Sequence, residues 1–193
     1  MKGALYFEFS GKQAAVFGGG KVGLRRAQTL AGYGCSVKCI ALDKKWELPE
    51  SIEFIQSGYT PEQLSGVDLA VAATSDAEIN RKILSDCKIR GIPCCAADDP
   101  EGSDFIFPAV LSRGELDIAV TTRGASPMLA KQIVRELRTT YDESYAERVA
   151  LLKRLRQQVL STCRDSKEKH ERLLAYRDKS IEELRVEVEK LCE

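Results

Sequence analysis

An α/β fold, a Rossmann-type doubly wound parallel sheet, is predicted for the first part of the chain. A hairpin-plus-helix segment and a small all-α C-terminal domain are expected to follow. Three observations predict this. Short apolar runs alternate with helical stretches as far as Asp99. The glycine cluster Gly18-Gly19-Gly20-Lys21-Val22-Gly23 falls between the first such run and the first helix. Neither Pro nor Gly occurs after Pro127, where charge-rich helical patterning takes over. The expected boundaries are 1–112 for the sheet domain, 113–141 for a segment suited to dimerisation and 142–193 for the helical domain.

Each element has its own signal. QAAVF at 13–17 is a short apolar run that ends in glycines. LRRAQTLAGYG then places Leu24, Ala27, Leu30 and Ala31 on one helical face and stops at Gly32 and Gly34. SVKCIAL reads as the second strand and IEFIQSG as the third. VDLAVAAT is a continuous apolar run ending in Thr74, the pattern of a strand buried on both faces. Ser75, with Glu78 three residues later, predicts a capping box, and the helix runs through Ile79, Ile83 and Leu84 to Gly91. IPCCAAD is a further strand. This alternation implies parallel βαβ units.

Beyond Asp99, FIFPAVLSRGELDIAVTT holds two apolar runs joined by Ser-Arg-Gly-Glu, a hairpin outside the parallel sheet. Ser126-Pro127 opens a helix, Ser as N-cap and Pro at the first helical position. Its stripe is Met128, Leu129, Ile133, Val134 and Leu137. From Asp142 onward Leu151, Leu152, Leu155 and Val159 mark one helix, and Ile181, Leu184, Val188 and Leu191 another. Polar stretches such as CRDSKEKH interrupt them. The hairpin and the Ser126 helix carry more apolar surface than one small sheet covers, which predicts a homodimer.

Composition narrows the function. The 193 residues are 44% hydrophobic, enough for a core, and balance 29 basic against 29 acidic residues. Residues 1–112 hold 12 basic and 14 acidic residues, and the remainder 17 and 15. Nothing global points to nucleic acid or an anionic membrane, so any basic site is local. No secretory signal is apparent, and no run approaches the ~20 apolar residues of a membrane helix. A soluble, cytoplasmic protein is expected. The seven cysteines show no C-x-x-C spacing and read as reduced thiols, with Cys94-Cys95 packed in a strand. The one histidine, His170, lies in a polar stretch, and no metal site is expected. G-x-S-x-G and the P-loop lysine pattern are both absent, which removes hydrolase and NTPase readings.

The chemistry-bearing motif is G-x-G-x-x-G at a strand–helix turn, the context of a dinucleotide site. Gly18 permits the tight turn, Gly20 lets backbone approach a pyrophosphate, and Gly23 lets the helix pack on the strand. The helix start at Lys21 and Val22 presents free N–H groups to phosphate. Asp43, 20 residues past Gly23, suits a ribose 2′-hydroxyl and favours NAD; Lys44 and Lys45 beside it suit a 2′-phosphate. Thr74 and Ser75 close the fourth strand on the ligand side, where a plain helix cap explains them equally. Asp98-Asp99 ends the next strand; one of the two acids faces the cleft, with Glu101 and Asp104 extending an acidic edge, unless the pair simply forms a turn. Arg113, Arg123, Lys131, Arg135 and Arg138 lie around the hairpin and its helix, as carboxylate receivers or as solvated charges.

VFGGGKVGLRR, VDLAVAATSDAEIN and CAADDPEGSDFIFPAVLSRGELDIAVTTRGASPMLAKQIVREL resemble the precorrin-2 dehydrogenase family, which includes the N-terminal module of siroheme synthase. The likeness covers roughly residues 3–140, and DFIFPA and RGASP are its specific segments. It implies a Rossmann domain, an intertwined homodimer and a small helical domain. It also implies hydride transfer from precorrin-2 to NAD⁺, giving sirohydrochlorin; some members then insert Fe²⁺. The family's functional aspartate falls on Asp98 in Cys95-Ala96-Ala97-Asp98. Cys95 stands where Asn is usual, and Gly102-Ser103 where Leu-Cys often precedes Asp-Phe. Precorrin-2 carries eight carboxylates, and Arg113, Arg123 and Ser126 at its helix start are the residues expected to receive them. The likeness does not extend to the methyltransferase domain of siroheme synthase, so another protein is expected to make precorrin-2. A bifunctional dehydrogenase and ferrochelatase, and a non-catalytic NAD(H)-sensing module, remain the alternatives.

Overall fold

The computed structural model describes residues 2–43 and 47–191. They form two compact units, Met1–Phe107 and Pro108–Glu193. The division falls ahead of the hairpin, whereas the sequence expectation cut through its first strand after residue 112. The segments expected as 113–141 and 142–193 lie together in the second unit.

The first unit runs β1 (Gln13–Phe17), α1 (Lys21–Gly32), β2 (Ser36–Ala41), β3 (Ile52–Gln56), a 3₁₀ turn (Pro61–Leu64), β4 (Leu69–Ala72), α2 (Ala77–Arg90) and β5 (Cys94–Ala96). All five strands are parallel, in the order β3-β2-β1-β4-β5. Strand order reverses between β1 and β4, and a crevice opens outside the carboxyl ends at such a point. The central strands are apolar on both faces because each face has its own helix. Ala14, Val16 and Val71 pack with Ala27 and Leu30 of α1. Ala15, Phe17, Ala70 and Ala72 pack with Ile83 and Cys87 of α2. Val16, Leu30 and Ile83 are fully buried, each worth about 1.5–3 kcal/mol of transfer from water.

The cap of α2 is a correction. Asp76, not Ser75, occupies the N-cap; its carboxylate accepts from the N–H groups of Glu78 at 2.8 Å and Ile79 at 3.3 Å. Both residues are good caps, but the one whose carboxylate oxygen, Oδ1, reaches two free N–H groups sets the register.

Strand β5 is an edge, and the chain itself covers it. After Asp99 it turns back. The Ser103 hydroxyl accepts from Ala96 N–H at 2.8 Å and donates to the Asp99 carbonyl at 2.6 Å. Asp104 N–H donates to the Cys94 carbonyl at 2.8 Å, and its carboxylate accepts from Cys94 N–H at 2.9 Å. An edge so satisfied offers no template for a further strand. Asp104 therefore sits at the amino end of β5 and does not extend an acidic edge with Asp98. Phe105 and Phe107 continue inward onto the α1 face of the sheet.

The second unit begins with an antiparallel hairpin, β6 (Ala109–Arg113) and β7 (Leu116–Val120), separate from the parallel sheet. Helix α3 (Pro127–Thr140) packs on both strands, and Ser126 caps it by accepting from Leu129 N–H at 3.2 Å. Three helices follow: α4 (Ser144–Thr162), α5 (Ser166–Arg177) and α6 (Ile181–Glu189). Leu151, Leu155, Leu184 and Val188 form their core. The sequence marked α4 and α6 but treated the start of α5 as an interruption. Helix α5 buries no residue; it is held by the Asp165 cap and by ion pairs such as Arg172–Glu168 at 2.9 Å, so no apolar period announced it. Among the described residues no helix is long and apolar enough to cross a membrane.

Ser103→Ala removes the only side chain that accepts from the buried Ala96 N–H. The expected loss is about 1–3 kcal/mol, read as a lower urea midpoint at unchanged slope. An unchanged midpoint would show that the edge is held some other way.

Candidate functional site

The loop after β1 is built by backbone contacts that leave no room for side chains. Gly18 has φ +126°, and its N–H donates to the Ile40 carbonyl at 2.9 Å. A Cβ on Gly18 would lie 2.2 Å from the Ala73 carbonyl oxygen. On Gly19 it would lie 2.1 Å from the Asp43 carbonyl oxygen, and on Gly23 2.0 Å from that of Gly18. Gly20 differs: nothing lies within 4 Å of its would-be Cβ. It is the N-cap of α1, which has no side-chain cap and no acid in its first turn. The first helical bond is Leu24 N–H to the Gly20 carbonyl at 3.0 Å. The N–H groups ahead of it, on Lys21, Val22 and Gly23, form the donor-rich end of the helix. Lys21 and Val22 are exposed and Gly23 is buried.

Asp43 is exposed two residues past β2, and its own backbone rests against Gly19. This ties the acid to the glycine loop through the chain. Lys44 and Lys45 lie outside the described residues.

Across the crevice, the residues after β4 and β5 are joined by one side chain that sequence reasoning missed. Asn80 of α2 is 2% exposed. Its Oδ1 accepts from Thr74 N–H at 3.0 Å and lies 2.8 Å from Thr74 Oγ1. Its Nδ2 donates to the Thr74 carbonyl at 3.3 Å and to Asp98 Oδ2 at 3.0 Å. The signal was present, since Asn80 occupies the i position of the buried i, i+3, i+7 stripe Asn80-Ile83-Cys87. Asp98 is exposed, as is Ser75. Asp99 turns away, its carboxylate accepting from Gly102 N–H at 2.8 Å. The two adjacent acids thus diverge.

Arg26 was also missed. It is half-buried on α1, with its guanidinium 4.1 Å from the Phe107 ring centroid. Burial first, then neighbouring Arg25, pull its pKa below the usual arginine value, and nearby Cys95 opposes them. It stays charged, and no carboxylate among the described residues pairs with it.

In the second unit, Arg113 is engaged internally. Its side chain is 10% exposed; it donates to the carbonyls of Tyr141 at 3.0 Å and Ser112 at 2.9 Å and pairs with Glu143 at 3.2 Å. Its donors fasten the end of α3 to the start of α4. Arg123 is exposed with φ +54°, in a turn where Arg123 N–H donates to Thr121 Oγ1 and Ser126 N–H to Thr122 Oγ1. Lys131, Arg135 and Arg138 are exposed along α3, and His170 is exposed on α5. Among the described residues no three His, Cys, Asp or Glu side chains gather as a metal site.

A family model described as putative NAD(P)-binding matches residues 5–109, more than half of the chain. The chain belongs to this NAD(P)-binding family. The siroheme synthase of Chromobacterium violaceum is 35% identical over 146 residues, 73% of this chain and 31% of that one. The siroheme synthase of Ectopseudomonas mendocina is 34% identical over 158 residues, 80% of this chain and 34% of that one. The chain thus spans about a third of the length of these relatives. The solved structure of SirC, precorrin-2 dehydrogenase, superposes with a TM-score of 0.76 at 26% identity, covering 98% of this chain and all of that one. The resemblance and the α/β fold read from the sequence are both borne out.

The geometry fits the cofactor of an NAD(P)-binding family. The open face above Gly20, next to uncapped helix N–H groups, has the shape and polarity that a pyrophosphate requires. The glycines then divide into builders and a receiver. Gly23→Ala drives a methyl into the Gly18 carbonyl and is expected to cost at least about 2 kcal/mol. Gly20→Ala, at φ −80° in open space, is expected to keep the melting temperature yet weaken NAD(H) binding. Thermal denaturation with and without NADH separates the two; equal melting temperatures would contradict the division.

Proposed function

We propose that this chain is an NAD-dependent precorrin-2 dehydrogenase, which oxidises precorrin-2 to sirohydrochlorin in siroheme synthesis. One observation carries the reading: the match to precorrin-2 dehydrogenase runs the length of both chains, and Asp98 stands at the crevice on the same sheet edge as the glycine loop. The reaction balances as precorrin-2 plus NAD⁺ giving sirohydrochlorin, NADH and a proton. NAD⁺, when bound, supplies the hydride acceptor.

The chain's own residues do the rest. Gly18, Gly20 and Gly23 shape the loop, and the N–H groups of Lys21 and Val22 hold the pyrophosphate. Asp43 receives the ribose hydroxyls, a choice that favours NAD over NADP. Thr74 and Ser75 flank the cofactor at the end of β4. Asp98 takes the proton released as the macrocycle loses its hydride. Arg123 and the start of α3 at Ser126 receive substrate carboxylates. Arg113 leaves this set, because its side chain is nearly buried and engaged with Tyr141, Ser112 and Glu143. The second unit serves assembly as well: Met128 and Leu129 on α3 are 76% and 47% exposed, which supports a homodimer formed through this helix and the hairpin.

Purified protein with precorrin-2 and NAD⁺ under anaerobic conditions is expected to form NADH and sirohydrochlorin in equal amounts, and Gly20→Asp to abolish both. Tight NADH binding with no product would instead support the NAD(H)-sensing module.

Light scattering at micromolar concentration is expected to give the mass of two chains, and Met128→Asp with Leu129→Asp the mass of one. A monomeric wild-type chain would remove the dimer.

A further inference from the structure

The orientation of the Asn80 amide follows from its neighbours. Thr74 N–H can only donate, so the atom 3.0 Å from it is Oδ1. The other end is therefore the NH₂, which faces the Thr74 carbonyl and Asp98 Oδ2. An amide buried to 2% on the apolar face of a helix would carry a desolvation cost if left unpaired. Here every contact falls on just two residues, Thr74 after β4 and Asp98 after β5. Asp76 caps α2 with its own carboxylate, and Thr74 Oγ1 braces that residue without help from the Asn80 NH₂. An apolar side chain at 80 would leave Thr74 N–H without its acceptor and would make no bond to Asp98. What an amide adds is a fixed link between two loop residues that otherwise belong to separate strands.

We propose that Asn80 is the positioning residue of the site: it holds Asp98 by Oδ2, leaves Oδ1 as the oxygen that accepts the substrate proton, and sets the acid's distance from the cofactor side through Thr74. This rests on the reading of Asp98 as the proton acceptor. The link also explains how an exposed acid on a loop keeps one orientation. Asp99 is drawn into its own turn by Gly102, and Ser103 anchors that turn to β5. Asp98 lies between this anchor and Asn80.

The test separates the two bonds of the amide. Asn80→Asp keeps the shape and still accepts from Thr74 N–H, but it cannot donate, and its second oxygen faces the Asp98 carboxylate. The full chain carrying Asn80→Asp is expected to lose about tenfold or more in kcat, with the Kd for NADH changed by less than about twofold. Asp98→Asn alone is expected to lose turnover. Adding Asn80→Asp to Asp98→Asn is expected to cost no further activity. It is also expected to recover part of the melting temperature that Asn80→Asp lowered, because the amide placed at 98 donates back to the carboxylate placed at 80, while the bond to the Thr74 carbonyl stays lost. A merely structural Asn80 would lower NADH affinity and kcat together and show no rescue. Should Asn80→Asp fail to fold alone, the double variant still decides, since failure of Asp98→Asn to rescue it overturns the pairing. Wild-type kcat in Asn80→Asp beside an inactive Asp98→Asn overturns the role of Asn80. Full activity of Asp98→Asn overturns the reading of Asp98 instead.

Discussion

The approach of α1 to the turn after β1, Gly23 against the carbonyl of Gly18, is the contact on which the rest of the site depends. It is one of three backbone contacts of the same kind. Gly18 meets Ala73 after β4, Gly19 meets Asp43 after β2, and Gly23 closes the helix onto the loop. Together they bring the carboxyl ends of β1, β2 and β4 into contact with no side chain between them. Such a junction cannot relax around a methyl group, because each neighbour is itself main chain. Each glycine costs about 0.5–1 kcal/mol of chain entropy. That cost is offset by the apolar burial of β1 and β4, whose residues from Ala14 to Phe17 and from Leu69 to Ala72 are nearly inaccessible. The core thus sets the positions of the strand ends, and the glycines let those ends touch.

On the other side of the crevice the solution is different in kind. β4 and β5 pair up to their last residues, Ala97 N–H donating to the Ala72 carbonyl at 2.9 Å, and beyond that bond a buried amide links Thr74 to Asp98. Its partners are a main-chain N–H, a main-chain carbonyl and a carboxylate. The turn from Asp99 to Asp104 supports this from beneath by covering the edge of β5. A site with one wall of main chain and one wall of hydrogen-bonded side chains combines an open, uncharged face for phosphate with a held acid.

The sequence made the sheet legible because its strands are short apolar runs buried on both faces, and a run such as LAVA has few other uses. The glycine loop was legible for the same reason: Gly18, Gly20 and Gly23 have roles that no other residue fills. What escaped depended on where the chain goes next. Asp104 looked like a neighbour of Asp98 until the reversal at Asp99 carried it to the far end of β5. Asn80 was not singled out, although its burial follows from the same spacing as Ile83 and Cys87. Arg26 was not singled out, because only the return of the chain through Phe107 gave it a ring to stack on. Arg113 was placed among receivers of substrate, whereas it is nearly buried against the end of α3 and the start of α4. Ser75 and Asp76 are both good caps in adjacent positions, so the register of α2 turned on a side-chain reach that composition does not encode.

The same packing keeps the thiols of the sheet out of reach. Cys39, Cys94 and Cys95 lie in the sheet and are nearly inaccessible. Burial pushes the Cys39 and Cys95 thiols up, and the hydrogen bond with Cys87, then burial, do the same for Cys94. A thiol held protonated is a poor nucleophile and a poor metal ligand; these residues act as small hydrophobes beside the alanines of β4 and β5. Cys94 packs against Ile83 and Cys87 of α2, and it is from α2 that Asn80 reaches Thr74 and Asp98. The Asp98 carboxylate that it meets is exposed, unlike the thiols of the strands beside it.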